Sequence, residues 1–380
     1  MKILMLNYEY PPIGGGGGVI SKNIAEGLVA LDNEVHVLTS NFNQLPEISK
    51  PVADLKIIRL KVKRAKNHQS NPVEMLDWIM KTKNFCKTYL QQHSFDICFT
   101  NFVMPGGEVA LFLKEKFNLN FVVISHGHDV PWVHSKRLWP LYLLGYTKIK
   151  KVLNKAELIF VQTPKMLQNI LRFNSSSEQK AVVIPNGFSQ SIIKQKSSSK
   201  TFTVVFAGRL VNQKRPDILI QSFISFLDSG AAGELLIYGD GPLRKHLQVI
   251  VDGSGYGMKI KFSGKVGHSK VIDALQSSDL YVTTSLNEGM SMSMIEAAAV
   301  GLPIITTPVS GANQLVNEHN GIVVPFNDAE KTATAIQNIY SKWMNGKDLV
   351  DQNKLVEVRK KYNWDVICIQ YNNQLKLLMK

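Results

Sequence analysis

The chain has 380 residues, 44% of them hydrophobic and 19% charged, with a net charge of +14. That length exceeds one ordinary core and predicts two domains, and the composition excludes a disordered chain. No run reaches the roughly 18 apolar residues that a membrane-spanning helix needs.

Residues 2–6, K-I-L-M-L, are apolar without alternation, which predicts a strand buried on both faces of a parallel sheet. With Glu9 close behind, this start lacks the apolar core and cleavage site of a signal peptide. Five glycines follow, Gly14 to Gly18, and then helical spacing at Ile20, Ile24, Leu28 and Leu31. Strand, glycine loop and helix let backbone approach an anion closely. A dinucleotide fingerprint is met only trivially by a glycine run. The next strand, 34–39, ends in Thr39-Ser40, without the acidic residue that would hold a ribose, so NAD(P) is not expected.

Further strands are predicted at 55–60, 96–100, 120–125, 158–162 and 181–184, with helices at 73–92, 106–116, 136–155 and 164–173. This alternation is a doubly wound α/β half. Pro185-Asn186-Gly187 is turn chemistry and 189–200 is polar, so a domain boundary is expected near 185–200. The alternation restarts with strands at 202–207, 234–238, 259–263, 279–284, 303–306 and 321–324. Residues 364–380 read as a closing helix. Two α/β domains facing each other leave a cleft that can enclose a ligand.

The charge is uneven. Residues 1–184 hold 23 Lys and Arg against 14 Asp and Glu; the remainder holds 21 against 16. Lys56, Arg59, Lys61, Lys63, Arg64 and Lys66 fall within eleven residues. Lys136, Arg137, Lys148, Lys150, Lys151 and Lys155 punctuate a segment with Trp139, Tyr142 and Tyr146. Such a surface suits nucleic acid, an anionic lipid or an anionic substrate, a basic amphipathic helix favours a membrane surface, and a solvated helix face is the structural alternative. The three cysteines, Cys86, Cys98 and Cys368, form no metal pattern and suggest a reduced cytoplasm.

Residues 285–303, S-L-N-E-G-M-S-M-S-M-I-E-A-A-A-V-G-L-P, run from a strand into a helix predicted over 292–300. The crevice at the carboxyl ends of parallel strands is where ligands bind, and a helix N-terminus there suits a phosphate. Glu288 and Glu296 flank that turn, and sugar hydroxyls are natural partners for such carboxylates. Ser293 to Glu296 also fits a capping box, with a purely structural role.

The first strand of the second half ends in Gly208-Arg209, with Lys214, Arg215 and Pro216 just beyond. Two fixed cations there suit a diphosphate, and Pro216 fits a first helical turn. Gly239-Asp240-Gly241-Pro242 is a tight turn at the next strand end, and Ser263 to Gly267 is similar. In the first half, Ser125-His126-Gly127-His128-Asp129 lies at a strand's carboxyl end. His126 suits a hydrogen bond to a ligand. His128 and Asp129 invite a metal, but a third ligand cannot be assigned, so none is expected.

These stretches, with the V-I-P-N-G of 183–187, resemble the GT-B retaining glycosyltransferases of family 4 over essentially the whole chain. The resemblance implies two Rossmann-like domains, 1–187 on the acceptor side and 188–363 on the donor side, with a helix at 364–380 crossing back to the first. It implies that Arg209 and Lys214 bind the donor diphosphate and that Glu288 binds donor-sugar hydroxyls. Glu296 would bind ribose hydroxyls, Val266 would lie near the base, and Gly239, Gly289, Met290, Ser291 and Met292 would bring backbone to the donor. His126 would contact the donor sugar, and Gly16 and Gly17 would lie near the phosphate or acceptor. The implied reaction moves a hexose or N-acetylhexosamine from a nucleotide-sugar, UDP-linked rather than GDP-linked, to a glycan or lipid-linked acceptor. No cofactor, metal or nucleic acid is implied, and the expected location is the cytoplasm, peripherally on the inner membrane face.

The chain departs from the family pattern at Met290, where Phe or Leu is commoner, at Arg215, where Gly is frequent, and at Ser293, where some relatives have Pro. A nucleotide-sugar epimerase and a non-catalytic sugar-nucleotide-binding module are the alternatives on the same architecture.

Overall fold

The computed structural model describes residues 1–67, 70–127, 129, 139–193 and 201–379, with the side chains of 139–144 and Ile192 left aside. His128, Lys136, Arg137 and residues 194–200 of the expected boundary lie outside the described residues. The chain divides into two compact units, one of Met1–Asn186 with Trp364–Lys380, the other of Gly187–Asn363.

The first unit is built on β1 (Lys2–Leu6), α1 (Gly16–Val29), β2 (Glu34–Ser40), β3 (Ile48–Val52), β4 (Leu55–Leu60), α2 (Pro72–Gln92), β5 (Ile97–Asn101), α3 (Gly107–Phe117), β6 (Phe121–Ile124), α4 (Trp139–Lys155), β7 (Ile159–Val161), α5 (Pro164–Phe173) and β8 (Ala181–Val183). Its sheet runs β3-β4-β2-β1-β5-β6-β7-β8 and is parallel except for β3 against β4. Ile3 to Leu6, Ile97 to Phe99 and Phe121 to Ile124 are fully buried, as strands covered on both faces require. β3 is an exposed edge strand containing Pro51, and its polar residues hide it from any hydrophobic pattern.

The second unit comprises β9 (Thr203–Ala207), α6 (Pro216–Asp228), β10 (Glu234–Tyr238), α7 (Arg244–Gly253), β11 (Ile260–Gly264), α8 (His268–Ser277), β12 (Leu280–Thr283), α9 (Met292–Val300), β13 (Ile304–Thr306), α10 (Ala312–Leu315), β14 (Gly321–Val323), α11 (Ala329–Met344) and α12 (Gln352–Lys361). Its sheet is parallel throughout, in the order β11-β10-β9-β12-β13-β14. The order reverses at β9, so the loops leaving β9, β10 and β12 meet at one edge, the place where such sheets bind ligands.

The last helix, α13 (Trp364–Leu377), belongs to the first unit and packs on α1. Tyr371 inserts edge-on against Phe160 and Phe99 at 5.0 and 5.9 Å. Cys368 lies over Gly27, where a β-carbon would stand 2.2 Å from its sulfur. Asn33 donates to Asn372 at 3.1 Å. The three thiols are buried and free, and burial pushes those of Cys86 and Cys368 up to about 12.

The basic run of 56–66 is not one continuous surface. Arg59 is buried and donates to Ser49 Oγ at 2.8 Å. Arg64 has a side chain only 2% exposed, and donates to the carbonyls of Tyr8, Lys66 and Asn67 and to Glu9. Lys61, Lys63 and Lys66 remain exposed. No described helix is long and apolar enough to cross a membrane.

Candidate active site

The loops leaving β9 and β12 are laced together because the two strands are neighbours. Leu286 N–H donates to the Gln213 carbonyl at 2.8 Å, Gln213 Nε2 to the Asn287 carbonyl at 2.7 Å, and Thr284 Oγ1 to the Arg215 carbonyl at 2.7 Å. Arg215, at φ +46, makes the left-handed turn into α6, whose first position is Pro216. That turn carries Lys214 back toward β12, and its ammonium pairs directly with the Glu288 carboxylate. Both side chains are mostly buried, 14% and 10% exposed. Arg209 stays exposed at the start of the same loop.

Glycine is required where the β9 and β10 exits touch. A β-carbon on Gly239, at φ +132, would lie 1.9 Å from the Gly208 carbonyl oxygen, and one on Gly241 would lie 2.4 Å from that of Leu210. Gly239 N–H donates to the Gly264 carbonyl at 2.8 Å, which ties in the β11 exit and the half-buried Val266 just beyond it.

Residues 288–292 lead into α9, which starts at Met292. Ser291 is the N-cap and its hydroxyl makes no capping bond, so the first-turn N–H groups keep their donor capacity and partial positive charge. Gly289 and Met292 are half-buried, and Met290 and Ser291 are buried. The capping box at Ser293 and Glu296 does not form. Ser293 Oγ instead meets Tyr281 Oη at 2.8 Å and Ser291 Oγ at 3.2 Å. Glu296, 6% exposed, holds His268 Nε2 at 2.8 Å through Oε1. His268, the first residue of α8, is a neighbour of this candidate site that the sequence did not single out. The only cue was its place beside a glycine turn after a strand.

In the first unit, Gly17 sits in the first turn of α1, where a β-carbon would lie 2.6 Å from Phe102 Cζ; one on Gly16 would meet nothing within 4 Å. Phe102, at φ +66 where β5 breaks into the turn before α3, also stacks obliquely on His126 at 4.5 Å and Tyr8 at 5.2 Å. His126 Nε2 lies 3.2 Å from Asn101 Oδ1. Gly17 and His126 thus share one aromatic neighbour that the sequence did not single out. Asp129 is engaged structurally. Its carboxylate accepts from Ser125 Oγ and Val103 N–H, both at 2.7 Å, and burial raises its pKa. Among the described residues no group of three His, Cys, Asp or Glu is placed to hold a metal.

The site can do definite chemistry. Exposed Arg209, Lys214 and the α9 N-terminus supply positive potential for an anion, and the Glu288 and Glu296 carboxylates supply acceptors for hydroxyls.

The family model of glycosyltransferase family 4 matches residues 14–191, and that of glycosyl transferases group 1 matches residues 188–356. An uncharacterised glycosyltransferase of Methanocaldococcus jannaschii is 25% identical, covering 100% of this chain and 99% of the relative. Sucrose-phosphate synthase from Thermosynechococcus elongatus superposes with a TM-score of 0.86 at 20% identity, covering 100% of this chain and 99% of that one. Anabaena HepE in complex with UDP superposes with a TM-score of 0.76 at 17% identity, over 99% and 100% of the two chains. Two parallel-sheet units, the two adjoining family matches and these superpositions together make this chain a GT-B glycosyltransferase of family 4.

Proposed function

We propose that the enzyme transfers a hexose or N-acetylhexosamine from a UDP-sugar, with retention of anomeric configuration, to a glycan or lipid-linked acceptor of the cell envelope. The observation that carries the donor half is the arrangement on the second sheet. Lys214 and Glu288 meet at the β9 and β12 exits, and Glu296 stands buried in the first turns of α9. Arg209 and Lys214 hold the diphosphate and stabilise it as it leaves, the place where charge develops. Glu288 binds sugar hydroxyls, Glu296 the ribose, and Val266 lies beside the base. Gly239, Gly289 and Met290 to Met292 bring backbone to the donor. His126 contacts the sugar, and Gly16 and Gly17 face phosphate or acceptor. UDP is favoured over GDP because HepE, a structure of the same fold, holds UDP. No cofactor or metal enters this scheme.

A lipid-linked acceptor at an anionic membrane surface draws support from α2. Val73, Leu76 and Met80 are 64%, 55% and 59% exposed at helical spacing. The acids of that helix turn inward, Asp77 accepting the Lys63 N–H at 2.6 Å and Glu74 that of Ala65 at 3.0 Å, while Lys61, Lys63 and Lys66 stay outside. An apolar stripe beside cations is the composition that anionic lipid attracts.

The test is to incubate the protein with UDP-glucose, UDP-galactose or UDP-N-acetylglucosamine and envelope lipid, following anomeric protons by NMR. An α-linked product from the α-linked donor supports the proposal, and a β-linked product contradicts it. Isomerisation of the donor with no acceptor present would identify an epimerase. No change with any donor would favour a binding module.

A further inference from the structure

We infer that His268 is a positioning residue for the donor nucleoside, holding the Glu296 carboxylate in the orientation that accepts the ribose hydroxyls. The inference rests on the reading of Glu296 as the ribose carboxylate and adds a residue that this reading does not contain.

Glu296 projects from α9 as a long, flexible side chain that is only 7% exposed. A buried carboxylate with no donor would be costly, and one with no fixed partner would adopt several rotamers. His268 resolves both. It opens α8, directly after Gly267, so its ring is held at a helix start rather than on a mobile tip. Its Nε2 reaches Glu296 Oε1 at 2.8 Å, a charge-assisted distance. The ring itself is 61% exposed, so it is placed where a ligand over Glu296 would lie, and not in a core where packing alone would account for it. A carboxylate accepts several hydrogen bonds, so one oxygen can rest on the imidazole while lone pairs remain for a vicinal diol. Val266, two residues earlier, is the position assigned to the base, so one short loop sets both base and ribose. His268 touches no reacting atom in this account and acts through Glu296.

The experiment is calorimetric titration of UDP, GDP and ADP, and of their 2′-deoxy counterparts, into wild type, His268→Ala, His268→Gln and Glu296→Ala, with thermal melts as the folding control. For whichever nucleotide binds, wild type should prefer the ribose form by about tenfold, the worth of one hydrogen bond to a charged group. His268→Ala should narrow that preference to about threefold or less, and His268→Gln, which puts an amide N–H where Nε2 was, should restore most of it. A merely structural role would lower melting temperature and leave the ribose-to-deoxyribose ratio intact. A ratio that collapses in Glu296→Ala but is unchanged in His268→Ala overturns the inference while keeping Glu296 as the ribose ligand. A ratio unchanged in Glu296→Ala as well overturns both.

Discussion

Lys214 and Glu288 form an ion pair that joins the exits of two adjacent parallel strands, each side chain largely withdrawn from water. The pair places a cation assigned to the donor diphosphate against the carboxylate assigned to the donor sugar. It also makes the two residues interdependent for stability. Removing one partner of a buried pair leaves an uncompensated charge, which costs more than removing both. Lys214→Ala should therefore destabilise the second unit by about 3 kcal/mol, and Lys214→Ala with Glu288→Ala should recover much of that loss. Transfer should be abolished in the single and the double variant alike. Chemical denaturation and nucleotide-release assays on the three proteins check this, and a double variant as unstable as the single would contradict the coupling.

The glycine loop of the first unit gives a second prediction, from two adjacent residues. Gly17→Ala drives a β-carbon to 2.6 Å from the Phe102 ring, which also contacts His126. Gly16→Ala meets nothing within 4 Å and replaces a helical glycine. Gly16→Ala should be neutral or stabilising by about 0.5 kcal/mol. Gly17→Ala should destabilise and lower activity. Thermal melts of the two variants decide it, and equal melting temperatures would contradict the packing argument.

How much of this was legible beforehand depended on what kind of signal carried it. Inner strands such as β5, β6, β9 and β12 announced themselves because they are buried on both faces, and α9 could be placed from 292 to 300 because a helix-forming Ala run ends at Gly301 in the left-handed conformation. The nearness of Lys214 and Glu288 followed from strand order, which the alternation of elements implies but does not state. Other features left no local trace. β3 is short and exposed, Ile48 and Val52 included, and pairs with β4 only because the chain folds back there. Ser293 and Glu296 have capping-box spacing, yet the helix begins two residues earlier and both side chains find tertiary partners. Arg64 sits in a basic run but is drawn inward by three carbonyls and Glu9. Those outcomes are decided by partners far away in sequence.

A buried histidine gives the pH dependence. His36 is nearly buried, with Nδ1 2.8 Å from Tyr89 Oη and Nε2 2.8 Å from Glu34 Oε1. Burial, with Lys56, Lys2 and His93 adding to it, pushes its pKa from 6.5 down to about 4 against the pull of Glu34. The folded state thus binds a proton less readily than the unfolded chain. The stability this contributes is complete above about pH 6.5 and is lost progressively as pH falls toward about 4. Melting temperature should decline across that window in wild type and decline less in His36→Gln. Identical slopes would contradict it.

The last helix supplies a stability prediction confined to the first unit. Tyr371 is fully buried against Phe99 and Phe160. Tyr371→Ala should cost about 3–4 kcal/mol, as for other large aromatic truncations in a core. A variant that melts like wild type would show that α13 is not part of that core.

The central claim, that the second unit binds a nucleotide-sugar through Glu296, is tested most directly by thermal stability with UDP-, GDP- and ADP-sugars, in wild type and Glu296→Ala. Ligand at about 100 times its dissociation constant adds roughly 2.7 kcal/mol, enough to shift the transition visibly. The account predicts a shift with UDP-sugar in wild type that is lost in Glu296→Ala. An equal shift in both proteins, or no shift with any of the three, would contradict it.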